Sequence, residues 1–227
     1  TKTFGVNPNK RFVFIINNFN SNGGGLEHLN STVLGASRNS YATEAGRLRF
    51  LGLVSHEYFH LWNVKRLRPI ALGPFNYNEE NYTSNLWIAE GFTNYYQGIY
   101  TKRAGLQSPE SFIMNLANTI NQVENQPGNR VDPVSQSSFD AWIKQYRPNE
   151  NSTNSTISYY TKGSVIALIM DLEIIHSTAG KSGLDEVMKA MYDEYFVKKA
   201  RGYTDAEFKA MVEKIAGKSF DSMAELL

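Results

Sequence analysis

Residues 48–64 read LRFLGLVSHEYFHLWNV, and the centre of that stretch, His56-Glu57-Tyr58-Phe59-His60, decides how the rest of the chain is read. The run is long and apolar, and Thr43 followed by Glu44 supplies an N-cap and an acidic first turn, so a helix is expected from there to a point before Pro69. On a helix, positions i and i+4 stand one above the other. His56 and His60 then aim both imidazoles at one point, and Glu57 lies about 100° further round. Neutral imidazole is a good zinc ligand, and zinc lowers the pKa of bound water to about 7. A carboxylate beside the first ligand is placed to take that water's proton rather than to bind the metal. The bare pattern also arises by chance on surface helices. Here the apolar flanks bury it, and buried histidines and a glutamate are costly unless something satisfies them.

A tetrahedral zinc site needs a further ligand, and with no cysteine in the chain it has to be His, Asp or Glu. Glu79 and Glu80 lie in a polar loop, FNYNEENYT, where a solvated role is the expectation. Glu90 lies in LWIAEGF on an amphipathic helix, Leu86 to Ala104, closed by Gly105. A ligand is best carried by a rigid element with packed support, so Glu90 is the choice. Asn94, one turn on, is a candidate supporting residue.

Outward from the motif, Arg11–Asn17 (RFVFIIN) reads as a strand, Asn18–Gly25 as a glycine-rich turn and Leu26–Leu34 as a second strand antiparallel to the first. Helices are expected at Pro109–Val123 with Ser108 as cap, Tyr159–Ser177, Leu184–Lys199 and Asp205–Ala216, with polar loops at 125–137 and 147–156. The expected fold class is α+β: a small N-terminal antiparallel sheet within a strand-rich 1–40, then a mainly helical 41–227, as one catalytic domain spanning 1–227.

The 227 residues are enough for a substantial core, and 41% hydrophobic with 20% charged residues is ordinary globular composition. The formal net charge of +1 gives no global attraction to nucleic acid or an anionic membrane. No stretch approaches the ~18 apolar residues of a membrane span. No cysteine means no disulfide and no thiol nucleophile. Compartment is left open, with a soluble protein of the bacterial cytoplasm or periplasm expected. Thr1 in place of Met suggests a processed or excised piece. Acceptor patterns at Asn30, Asn81, Asn151 and Asn154 arise readily in an Asn-rich chain. His176 reads as a helix-end histidine, Lys65, Arg66 and Arg68 as surface or interdomain ion pairs, and Tyr95, Tyr96 and Tyr100 as core or cleft wall.

HEYFHLWNVKRLRP, LGPFNYNEENYT and LWIAEGFTNYY together resemble the glycyl aminopeptidase family of gluzincin peptidases, relatives of the alanyl-aminopeptidase and leukotriene-hydrolase group, over about residues 23–163. The resemblance implies a thermolysin-like catalytic domain, one zinc ion, a peptide substrate and a preference for small N-terminal residues such as Gly or Ala. It also implies flanking N-terminal β and C-terminal PDZ-like domains that this chain lacks. The eighteen-residue gap from His60 to Glu79 is familiar in such enzymes and is the argument for Glu79 over Glu90. Gly24-Gly25-Leu26-Glu27-His28 resembles the segment whose backbone pairs with substrate and whose glutamate binds the free α-amine, although relatives have Asn where His28 stands. Without the resemblance, a hairpin turn and a surface charge would suffice. Tyr160-Thr161-Lys162-Gly163 resembles the segment that supplies a transition-state tyrosine, with Tyr159 as competitor and a helix-start packing role as the plainer reading. Two other functions remain open: a zinc endopeptidase with the same chemistry, and a peptide-binding remnant without activity.

Overall fold

The computed structural model describes residues 2–20 and 23–221. The strands are β1 (Val13–Phe19), β2 (Gly24–Glu27) and β3 (Ser31–Ser37). The helices are α1 (Glu44–Phe59), α2 (Thr93–Arg103), α3 (Pro109–Asn125), α4 (Val134–Phe139), α5 (Ser152–Ser155), α6 (Tyr159–Ser177), α7 (Leu184–Met191) and α8 (Asp205–Ala216). Two π-helical segments, Trp87–Phe92 and Tyr192–Lys198, lead into α2 and continue α7. The result is a mixed α/β structure, a small sheet followed by a mainly helical part.

The sheet corrects the expectation of an antiparallel pair. Its order is β1-β3-β2: β1 runs parallel to β3, and only β2 is antiparallel to it. LEHLNSTVL is not one strand. A turn at 28–30, closed by the His28 N–H donating to the Ser31 carbonyl at 2.9 Å, divides it into β2 and β3. β3 takes the centre because its period-two burial puts Thr32, Leu34 and Ala36 inside. The segment read as a glycine-rich turn also supplies Gly24 and Gly25 to β2, which is left as an edge strand with one side open.

α1 begins as its cap predicts, with the Thr43 hydroxyl accepting from the Gly46 N–H at 3.0 Å. It ends earlier than expected, at Phe59, with His60 as C-cap. The chain then folds into a tight turn in which Val64 adopts φ 98° and its N–H donates to the Leu67 carbonyl at 2.7 Å. The helix starting at Pro109 is capped by Ser108, and the helix at Tyr159–Ser177 has the expected bounds. The two polar loops contain the short helices α4 and α5, and α7 is replaced by π-helix after Met191.

The core lies between α1, α2 and α6. Phe59 on α1 stacks on Tyr96 on α2, ring centroids 4.4 Å apart, and both are almost wholly buried. Truncation of such an aromatic to Ala costs about 3–5 kcal/mol. α6 crosses the Trp87–Phe92 segment at glycine: a Cβ on Gly163 would lie 2.9 Å from the Gly91 Cα, so only a Gly–Gly crossing lets these backbones meet. That approach sets Tyr160, one turn before Gly163, beside Glu90. Among the described residues no helix is long and apolar enough to cross a membrane.

Candidate metal and peptide site

The two ends of the long motif converge. Nε2 of His56 and Nε2 of His60 each lie 3.2 Å from one oxygen, Oε2 of Glu90. Both imidazoles are buried, and their rings meet edge to face at 4.7 Å. Glu90 reaches them from the π-helical segment, whose wider turn is a feature often found at functional sites. Glu79 is elsewhere, in an exposed loop, where it accepts a hydrogen bond from Asn76.

A second residue orders this group. Nδ1 of His60 lies 3.0 Å from the main-chain oxygen of Asn63. A carbonyl only accepts, so Nδ1 carries a hydrogen and Nε2 is the nitrogen turned towards Glu90. The Asn63 side chain, fully buried, donates in turn to the carbonyls of Ile88 and Ala89 at 3.1 and 3.0 Å. One residue therefore orients a histidine and ties the turn after α1 to the segment that carries Glu90. Sequence reasoning missed it. Its only sign was an Asn set between Trp62 and Val64 in an otherwise apolar run.

The charges are strongly coupled. Burial pulls His60 down, but the carboxylates of Glu90, Glu27 and Glu57 outweigh it and hold the imidazole up at about 10. Burial raises Glu90, yet His60 and the hydrogen bonds from both imidazoles bring it well below the usual carboxylate range. Burial lowers His56. Without metal, a proton on His60 is thus the positive partner of Glu90, and a divalent cation would take that role and release the proton. Two imidazole nitrogens and a carboxylate oxygen, clustered in one buried group, suit zinc as a donor set.

Glu57 sits beside this group with Oε2 buried and without a hydrogen-bond partner among the described residues. Burial, reinforced by Glu27 and Glu90 against the pull of His60, lifts its carboxyl to about 7. An unpaired buried carboxylate oxygen needs a donor, and a water in the cleft would be one. The backbone of β2 passes directly against it. A Cβ on Gly25 would overlap the Glu57 carboxylate, so only glycine leaves that side chain where it is. Gly24 has φ 145°, another conformation that side chains disfavour. Further along β2, ligand-type atoms of Glu27, Glu57 and His60 lie within 4.8 Å of one another. Glu27 also pairs with Lys65 at 3.2 Å. That ion pair is not the surface one expected for Lys65. Arg66 is buried as well, donating to the carbonyls of Leu29 and Leu61. His28 is exposed in the hairpin turn.

Opposite, the Tyr160 ring lies 6.3 Å from that of His56 and stacks on Tyr159 at 4.7 Å. The Tyr160 hydroxyl meets that of Tyr146 at 3.1 Å, and Tyr159 donates to the same oxygen. Burial and the nearby charge of Glu90 push Tyr160 far above the ordinary phenol range, so it stays protonated and able to donate. Tyr159 is buried in the core, and of the two Tyr160 faces the histidines. Tyr146 comes from the segment after α4, and no sequence pattern pointed to it. Asn94 holds the Tyr160 carbonyl with a long 3.5 Å contact instead of supporting Glu90 directly. Tyr95 donates to Asp171, Tyr96 is core, and His176 is exposed at the end of α6.

A family model described as M61 glycyl aminopeptidase matches residues 49–166, just over half of the chain. A crystal structure described as an aminopeptidase N family protein from Idiomarina loihiensis superposes with a TM-score of 0.92 at 34% identity, covering 98% of this chain and 39% of that one. A comparison with curated proteins gives no match.

Proposed function

The chain belongs to the M61 glycyl aminopeptidase family, a family of peptidases, and from that premise we propose that it is the thermolysin-like catalytic domain of a zinc-dependent aminopeptidase acting on peptides with small N-terminal residues, Gly or Ala. The observation that carries this reading is the meeting of His56, His60 and Glu90 at one carboxylate oxygen, with the partnerless Glu57 beside them. His56, His60 and Glu90 would hold one zinc ion, which when bound supplies a Lewis acid and acidifies water.

The chain's own residues account for the rest. Extended peptide pairs with the open edge of β2, where Gly24 and Gly25 bring the backbone up to Glu57. Glu27, at the far end of β2, receives the free α-ammonium as a charge-assisted hydrogen bond. Glu57 takes a proton from the attacking water and passes it to the leaving nitrogen. A carboxyl lifted by burial is suited to both steps. Tyr160 donates a hydrogen bond to the oxygen that becomes negative as the carbonyl is attacked. The chain spans 39% of the Idiomarina chain, and flanking β and PDZ-like domains in the full-length protein are part of the same proposal.

The test is elemental analysis of the purified protein together with hydrolysis of Gly- and Ala-terminated peptides, free and N-acetylated. About one zinc per chain and cleavage of free peptides alone is the expected result. Equal cleavage of both forms would make it an endopeptidase. Bound zinc with no cleavage of either would leave a binding module. Glu57→Gln should keep zinc and lose about 10³-fold or more in turnover.

A further inference from the structure

One cation intrudes on the peptide site. α1 stops at Phe59, and the turn after it is held by Lys65 N–H to the His60 carbonyl, Leu67 N–H to the Trp62 carbonyl and a short bridge between Asn63 and Leu67. Val64 stands at φ 98° within it, a conformation that a β-branched residue adopts only when its surroundings enforce it. This strained turn sends the Lys65 side chain back over the site. Its ammonium lies 3.2 Å from Oε1 of Glu27, and both side chains are more than four-fifths buried. The ring of Phe75 supports the ammonium at 5.1 Å, and Arg68 lies over the same ring at 5.3 Å. The carboxylate so engaged is the one grouped with Glu57 and His60.

We propose that Lys65 is a specificity-determining residue that competes with the substrate's α-ammonium for Glu27. This rests on the amine-binding role proposed for Glu27. A peptide ammonium arriving at Oε2 meets a carboxylate already neutralised at Oε1 and a like charge a few ångströms away, in surroundings that screen poorly. It must share Glu27 or displace Lys65. The site therefore holds free-amine peptides weakly in the ground state and, through Phe75, keeps its internal cation in place when no peptide is bound. A plain stabilising salt bridge would predict the opposite, since loss of Lys65 would then leave Glu27 poorly held and the amine bound less well.

The two roles separate by sign. Lys65→Met keeps side-chain length and removes the charge, Lys65→Gln is a second neutral variant, and Lys65→Arg keeps the charge. Titration of the metal-free protein with glycylglycinamide, followed by NMR or calorimetry, should show about tenfold tighter binding for both neutral variants and wild-type affinity for Lys65→Arg. N-acetylglycylglycinamide should bind all four proteins alike. With zinc loaded, KM for alanine p-nitroanilide should fall by a similar factor in the neutral variants while kcat stays within about twofold. Unchanged or weaker binding of the free amine by the neutral variants overturns the proposal. Failure of the underlying reading shows separately: if Glu27→Gln binds the free and acetylated peptides in the same ratio as wild type, Glu27 is not the amine site.

Discussion

The main-chain oxygen of Asn63 accepts the Nδ1 hydrogen of His60 at 3.0 Å, while the Asn63 side chain grips the carbonyls of Ile88 and Ala89 just before Glu90. One residue therefore adjusts two of the three prospective metal ligands. Asn63→Ala leaves the main-chain acceptor in place but removes the side-chain donor that both carbonyls share, although that of Ala89 keeps the Thr93 hydroxyl at 2.6 Å. Metal affinity, measured by competition with a chromogenic chelator, should fall about 10–100-fold. Wild-type affinity in this variant would mean that Glu90 is positioned by its own helix alone.

Tyr159 and Tyr160 stack and share one hydrogen-bond partner, Tyr146, but it is the Tyr160 ring that lies 6.3 Å from that of His56. Tyr160→Phe should lower kcat on Ala-terminated peptides about 10²-fold, as expected for removing one donor to a developing oxyanion, with zinc content unchanged. Tyr159→Phe removes a hydroxyl that donates to Tyr146 and should cost about 1 kcal/mol of stability with little change in kcat. Equal kcat losses in the two variants would sink the assignment of the donor to Tyr160.

Glu207 gives a pH test remote from the site. It closes a capping box with Thr204 at the start of α8 and accepts from both terminal nitrogens of Arg201, at 2.9 and 2.6 Å. Arg201 first, then the Thr204 N–H, hold its carboxyl down to about 2, below the ordinary 4.5. A folded-state value below the unfolded one contributes stability above pH 4.5 that is lost as pH falls towards 2. The Tm difference between wild type and Glu207→Gln should be largest near pH 7, with wild type higher, and should shrink between pH 4.5 and 2. A difference that is constant across that range would show that the ion pair contributes nothing to folding.

What the sequence displayed and what it hid divide along physical lines. His56, Glu57 and His60 were legible because helical periodicity alone puts them on adjoining faces. Glu90 is the choice over Glu79 because an apolar helix is a firmer support than a polar loop; the structure places Glu90 against the histidines and Glu79 in an exposed loop. The caps at Thr43 and Ser108 read correctly because they are local. The sheet did not, because β1 and β3 are parallel partners separated by β2, and pairing between segments leaves no trace in either one alone. The π-helical turn at Glu90, the sharp turn at Val64 and the roles of Asn63, Lys65 and Tyr146 share one cause. Each depends on a contact across the fold and not on a pattern along the chain.

Gly25 and Glu57 supply the strongest separation of catalysis from stability. β2 lies so near α1 that a Cβ at Gly25 would occupy the space of the Glu57 carboxylate. The crowding falls on the end of a side chain and not on backbone, so the fold has a way to relax: Glu57 rotates aside. Gly25→Ala should therefore lose little stability, within about 1–2 kcal/mol, and keep its metal. The displaced carboxylate no longer faces the attacking water, and a misplacement of about 1 Å at a reacting group costs about 10²-fold. kcat should fall by at least that factor on free-amine peptides, with Tm and zinc content close to wild type. If Gly25→Ala turns over normally, the edge of β2 does not set the position of Glu57, and the peptide must approach the site from another side.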